Sequence, residues 1–288
     1  MTPSRPRFPS TGNGISRDYV FGESFLWTLH SSVADQIHDF PLDLPDDPCG
    51  VIAGRRYRAH LKAGRGHGRS TGFTFESPKF GRAIESQSKI EAALARILHL
   101  NPYVVDVRDH YVISNPSEIA NKLRTGQRIR KSATPTIDLV ATFRHPGPGF
   151  NLSYHGFSVK SSETLRESDV ETRVEKDKTF CTDNGWRWSL FTEREVNDIA
   201  VATAFQAISW AKGKRISARV AYDFAYQIVQ QRHSDRLDAV LNGAALNLDL
   251  GDIDPVSAFA QAVLNGFLVL DPNSPLKLDQ PLCLRSWQ

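Results

Sequence analysis

The chain has 288 residues, 40% of them hydrophobic, with 35 Lys and Arg against 32 Asp and Glu and a formal net charge of +3, a composition ordinary for soluble protein and a length that accommodates two domains with sizeable cores. Its three cysteines, Cys49, Cys181 and Cys283, are scattered without zinc spacing or an even-numbered framework, which argues against a disulfide scaffold and for a reducing compartment. The start lacks an apolar signal core and no run approaches the roughly 20 apolar residues that span a bilayer, so the expectation is a cytoplasmic protein without membrane contact.

Taken in chain order, the first segment able to order itself is Phe21 to Phe40, where Phe25, Leu26, Trp27 and Ile37 suffice for one helix or a docking segment. Residues 51–75 then carry Arg55, Arg56, Arg58, Lys62, Arg65 and Arg69 with no acidic residue, a segment that can track a phosphate backbone. The GRGHG run at 64–68 lacks the Gly-Lys-Ser/Thr ending of a P-loop and reads as a basic loop. Ser88 to Leu100 (SKIEAALARILHL) has helical composition, and Ser88 and Glu91 have the spacing of a capping box. A second basic loop with Lys122, Arg124, Arg128, Arg130 and Lys131 precedes Thr134 to Phe143 (TPTIDLVATF), a mostly apolar strand interrupted by Asp138.

A Gly/Pro break at Pro146 to Gly149 separates that strand from another beginning at Phe150, which puts Ser158 and Lys160 on one face and Phe157 and Val159 on the other. Two antiparallel strands would bring Asp138 near Lys160. Ser168 to Glu171 reads as the capping-box start of a charged helix through about Cys181, followed by a strand from Trp186 to Phe191. Thr192 to Glu195 caps a further helix that continues into the apolar run Ile199 to Trp210. In the last third, helices broken at Gly243, Gly251 and Pro255 lead to short strands at Phe267 to Leu270 and Leu276 to Leu284, and helices followed by a small hairpin suggest a winged helix. Residues 193–288 hold nine Lys and Arg against eleven Asp and Glu, so the positive excess lies in front of them and DNA contact is expected there.

The chemistry-bearing residues are Glu91, Asp138 and the Ser158-Val159-Lys160 triplet. An ionised aspartate in an apolar strand needs a partner or a metal, because burying it unpaired costs several kcal/mol. Phosphodiester hydrolysis needs a hydroxide generated beside an anion, and a hard divalent cation both generates it and neutralises the developing charge. Magnesium takes oxygen ligands, so Asp138, Glu91 and the backbone carbonyl of Val159 suit it, with Lys160 orienting the water or stabilising the transition state. Each residue also has a structural reading: Glu91 as a helix cap, Asp138 as an inward edge charge, Lys160 as a solvated strand lysine.

The segments LKAGRGHGR (61–69), SKIEAALARIL (88–98), VVDVRDHYVI (104–113), TIDLVATF (136–143), FSVKSSETL (157–165) and WRWSLFTEREVN (186–197) together resemble TnsA endonucleases of Tn-seven-type heteromeric transposons. The resemblance implies an α/β restriction-endonuclease-like core with a mixed sheet, over residues 61–192, followed by a mainly helical winged-helix domain over 193–288, with 1–60 an N-terminal extension. It implies Glu91 and Asp138 as metal ligands and Lys160 as the catalytic lysine. Ser158 stands where the family usually has glutamine, so a contact to the metal from this position would pass through water. The cofactor expected is Mg2+, with Mn2+ able to substitute. Arg65, Arg69, Arg128, Arg130 and Lys131 are expected to bind double-stranded DNA at the transposon ends. The partners implied are a TnsB-like transposase and a TnsC-like ATPase regulator, with the chain cutting the non-transferred strand to leave a 5′-phosphate and a 3′-hydroxyl. Two other readings stay open: a DNA-binding or assembly subunit with weak catalysis, and a standalone restriction or repair nuclease.

Overall fold

A computed structural model of the chain describes residues 38–63, 72–101, 103–113, 134–144, 151–231 and 235–284. Its centre is a four-stranded sheet in the order β3 (Val104–Val112), β4 (Thr136–Arg144), β5 (Leu152–Val159), β6 (Arg187–Phe191). The first two pairings are antiparallel and β5–β6 is parallel, which makes the sheet mixed. A separate hairpin of β1 (Phe73–Ser77) and β2 (Arg82–Ser86) precedes helix α1 (Lys89–Leu100).

Helix α1 is buried nearly all round because it is covered on two sides. Leu94, Ala95 and Leu98 join the cluster formed by Val107, Leu139, Ala141, Phe157 and Val159 of the sheet. Ile97 meets Ala200, and Leu100 belongs to the core of the C-terminal helices. Those are α3 (Asp198–Ala211), α4 (Ala218–Val229), α5 (Leu237–Leu248) and α6 (Pro255–Leu264). The expected terminal hairpin is reduced to an isolated bridge between Leu270 and Leu284, with a second bridge from Arg236 to Pro281.

Parallel strands cannot be joined by a tight turn, and helix α2 (Ser168–Asp183) makes the crossover from β5 to β6 on the sheet face opposite α1. Its N-cap is Glu167, without a side-chain cap bond, so the capping box expected at Ser168 does not form. The capping box expected at Thr192 and Glu195 does form, but over a 3-10 turn, Glu193–Glu195; α3 starts afresh at Asp198 under the Asn197 side chain. Gly156 lets α2 approach: a Cβ there would run into Cys181 Sγ and meet Ile137 Cδ1 at 3.5 Å.

Both antiparallel strands change face at one step. In a regular strand, residues i and i+2 share a face. Yet the Asp109 carboxylate turns to Arg82 and the Glu85 N–H of β2, while Tyr111 packs with Phe180 and Trp186 on the α2 side. On β4, Leu139 joins the α1 cluster and Ile137 the cluster holding Tyr111 and Cys181. Because Asp109 pairs with Leu139 and Tyr111 with Ile137, the residues at the step are His110 and Asp138. His110 takes up the change with a left-handed φ of 50°.

Buried ion pairs hold the 38–63 segment and β2 against this sheet. Arg82 bonds Asp109 at 2.7 Å, Arg108 pairs with Asp47, and the Tyr111 hydroxyl donates to Asp47 at 2.8 Å. Gly54 N–H donates to Asp106 at 2.9 Å, and the Tyr57 hydroxyl to the Asp109 carbonyl at 2.8 Å. Removing one partner from such a pair leaves an uncompensated buried charge, so these contacts fix the strand edge beside His110.

Candidate active site

Asp138 lies on β4 beside the end of β5. Its Oδ2 accepts the Val159 N–H and a Lys160 ammonium N–H, each at 2.6 Å. The two side chains retain 15% and 20% exposure, so the pair sits at an accessible end of the two inner strands. Burial lowers the Lys160 pKa, but the Asp138 charge and hydrogen bond outweigh it and the net shift is upward. Lys160 therefore stays an ammonium at neutral pH and acts as a cation and donor, not as a base.

Glu91, in the first turn of α1, does two things. The Ser88 hydroxyl accepts the Glu91 N–H, and the Glu91 carboxylate accepts in return from the Ser88 hydroxyl at 3.0 Å. It reaches past the N-cap to the Gln87 N–H at 2.7 Å, one residue beyond a regular capping box. Burial first, and then the negative charge of Asp138, push its carboxyl up to about 7. Glu91 thus feels the Asp138 charge, and a cation beside both would relieve it.

Ser158 is fully buried and points toward α2. Its hydroxyl donates to Asp177 Oδ2 at 2.7 Å and accepts from the Trp188 indole N–H at 3.0 Å. Asp177 is a carboxylate the sequence reading did not single out. Burial raises it to about 7, with the Ser158 hydrogen bond pulling it down and the Asp138 charge adding to the rise. The signal was present in the spacing: Val170, Asp177 and Cys181 are the buried residues of α2, so Asp177 interrupts the helix's apolar stripe.

His110 is the other residue missed. It is buried, its Nε2 has no hydrogen-bond partner, and that atom lies 3.9 Å from Glu91 Oε2. Glu85 belongs to the periphery, accepting from the Ala63 N–H at 2.9 Å and the Thr74 hydroxyl at 2.8 Å, and Glu163 is exposed. Trp186 is a core residue packed against Tyr111, Tyr154 and Phe180. Among the basic residues, Arg55, Arg56, Arg58 and Lys62 are exposed. Arg65, Arg69, Arg128, Arg130 and Lys131 lie outside the described residues.

Among the described residues, no three His, Cys, Asp or Glu side chains are gathered into a ready-made metal cage. The donor set nevertheless fits a hard divalent cation: the Asp138 charge makes the buried Glu91 carboxylate costlier to ionise, and the ammonium of Lys160 contacts Asp138 directly. No helix of the described residues is long and apolar enough to cross a membrane.

Residues 101–193 match the family model described as the TnsA-like endonuclease N-terminal domain. No curated protein matches the chain. The matched stretch runs from the start of β3 to the turn after β6 and contains His110, Asp138, Ser158, Lys160 and Asp177, while Glu91 precedes it. This part of the chain is similar to TnsA-like endonuclease N-terminal domains and has a mixed α/β core.

Proposed function

We propose that the TnsA-like domain is the catalytic part of a divalent-metal-dependent DNA endonuclease that cuts the non-transferred strand at transposon ends, leaving a 5′-phosphate and a 3′-hydroxyl. The observation that carries this reading is the convergence of Lys160 and the Val159 N–H on Asp138, with Glu91 held close enough for the Asp138 charge to shift it.

In this reading Glu91, Asp138 and the Val159 carbonyl hold Mg2+, with Ser158 contributing through water. When bound, the ion neutralises charge on the phosphodiester and activates the attacking water. The protein's own residues orient and stabilise. The Val159 N–H fixes the Asp138 carboxylate, Ser88 and the Gln87 N–H fix Glu91, and the Lys160 ammonium offers its remaining donors to a phosphate oxygen as charge builds there. Asp177 holds the Ser158 end of the triplet against α2.

Residues 61–192 form the nuclease domain in this proposal, with residues 1–60 as an N-terminal extension. Arg65, Arg69, Arg128, Arg130 and Lys131 bind the DNA backbone. Residues 193–288, net acidic and helical, act as a winged-helix docking domain for a TnsC-like ATPase, while a TnsB-like transposase cuts the other strand. The double engagement of Ser158 by Asp177 and Trp188 supports a second reading, an assembly subunit with weak catalysis.

Reconstitution with transposase and ATPase in Mg2+, scored strand by strand, separates these readings. The nuclease reading predicts that Asp138→Ala abolishes cutting of the non-transferred strand while the other strand is still processed. Equal cleavage by wild type and Asp138→Ala supports the assembly subunit, and cleavage by the chain alone supports a standalone nuclease.

A further inference from the structure

We propose that the divalent ion, on binding, draws in His110 as an additional ligand through Nε2, gathering three side chains that are not gathered without it and giving this site a preference for Mn2+ over Mg2+; the inference rests on the reading that Glu91 and Asp138 hold that ion.

The first observation is conformational. His110 lies near the C-terminal end of β3 with φ of 50°, a conformation that non-glycine residues rarely take and that costs on the order of 1–3 kcal/mol. Neighbouring β3 residues are locked: Asp109 by Arg82 and the Glu85 N–H, and Tyr111 by Asp47. Between them, the left-handed residue lies opposite Asp138, at the step where both strands change face.

The second observation is an unmet valence. The His110 side chain is 3% exposed, and its Nε2 makes no hydrogen bond. Leaving such an atom buried and unpaired costs about 1–3 kcal/mol. Its nearest acidic neighbour, Glu91 Oε2, is 3.9 Å away, beyond hydrogen-bonding distance. Two ligands of one ion can lie that far apart, since two bonds of about 2.1 Å span up to roughly 4.2 Å.

The third observation concerns the triplet. Ser158 spends its hydroxyl proton on Asp177 and accepts from Trp188. The β5 side of Asp138 therefore offers an already engaged hydroxyl, while the β3 side offers a buried imidazole with an unpaired Nε2. Magnesium takes oxygen ligands, whereas an imidazole nitrogen suits transition ions, and among those Mn2+ shares magnesium's preference for carboxylate and carbonyl oxygen.

The test uses the full chain. Calorimetric titrations with MnCl2 and MgCl2 are compared for wild type and His110→Asn, because asparagine tolerates positive φ and replaces a nitrogen ligand by an oxygen one. Wild type is expected to bind Mn2+ at least about tenfold more tightly than Mg2+, and His110→Asn to bring the two within about threefold. Electron spin-echo spectra of the Mn2+-loaded wild type should show imidazole 14N modulation that His110→Asn lacks. This second readout holds even if the variant folds poorly. Absence of 14N modulation in wild type, or an unchanged Mn2+ to Mg2+ ratio in a folded His110→Asn, overturns the proposal. Asp138→Ala tells the two levels apart: if it still binds both ions at this site as wild type does, the carboxylate reading fails as well, whereas loss of binding there with His110→Asn silent removes only His110.

Discussion

The Lys160 ammonium donates to the same Asp138 oxygen that accepts the Val159 N–H, both at 2.6 Å, so one carboxylate oxygen gathers the strand end and the ammonium. A divalent ion held at Asp138, as proposed, would draw on the same charge as the ammonium at Oδ2. Lys160→Ala is therefore expected to lower single-turnover cleavage at least about a hundredfold while calorimetric affinity for Mg2+ stays the same or rises. Loss of ion binding in step with loss of cleavage would assign Lys160 a structural role instead.

Glu91 links the site to stability. Its carboxyl is raised from 4.5 to about 7 by burial and by Asp138, so between those values the folded state holds a proton that the unfolded chain has released. This contribution is complete below pH about 4.5 and is lost as pH rises through about 7. Glu91→Gln keeps an acceptor for the Gln87 N–H and removes the charge. In denaturant titrations without divalent ions, the variant should gain on the order of 2 kcal/mol relative to wild type at pH 8 and little at pH 4. Added Mg2+ should stabilise wild type and not the variant. A constant difference across pH contradicts the assigned cause.

Ser158 and Asp177 couple the triplet to helix α2. Ser158→Ala leaves the Trp188 N–H and the Asp177 carboxyl without their shared partner, at an expected cost of about 1–3 kcal/mol in thermal or denaturant unfolding. Ser158→Gln should cost more, because position 158 is fully buried. A Ser158→Gln protein as stable as wild type would show that this pocket accepts the longer side chain.

The closeness of α2 to β5 depends on Gly156 and Cys181. Gly156→Ala forces its new methyl into Cys181 Sγ and should destabilise by about 1–3 kcal/mol. Cys181→Ala opens that space, so the double variant should be markedly less destabilised than the sum of the single changes. Strict additivity would place the two residues apart.

The central strands and the site pair were legible because their signals are local. An aspartate inside TIDLVATF stands out against an apolar strand, and a Gly/Pro break one strand's length before Lys160 implies the antiparallel pairing that brings it to Asp138. Glu91 was legible as a cap, and its carboxylate accepts from the Ser88 hydroxyl and the Gln87 N–H while feeling the Asp138 charge. Asp177 was hidden among the exposed charges of α2, where Glu175, Lys176 and Lys178 mask the stripe it shares with Val170 and Cys181. His110 was hidden for a deeper reason: period-two reading assumes that alternate residues share a face, and the left-handed backbone at 110 breaks that rule without any sequence mark. The small C-terminal strands were over-read, because short apolar runs around Pro275 satisfy a strand pattern yet form only an isolated bridge.

The claim on which the rest depends is that Asp138 and Glu91 hold one divalent ion beside Lys160. Anomalous diffraction from crystals of the full chain grown with MnCl2 locates that ion directly. The account predicts a peak within bonding distance of both carboxylates, absent in Asp138→Ala. A well-occupied Mn2+ peak elsewhere, with Glu91 and Asp138 untouched, would contradict it.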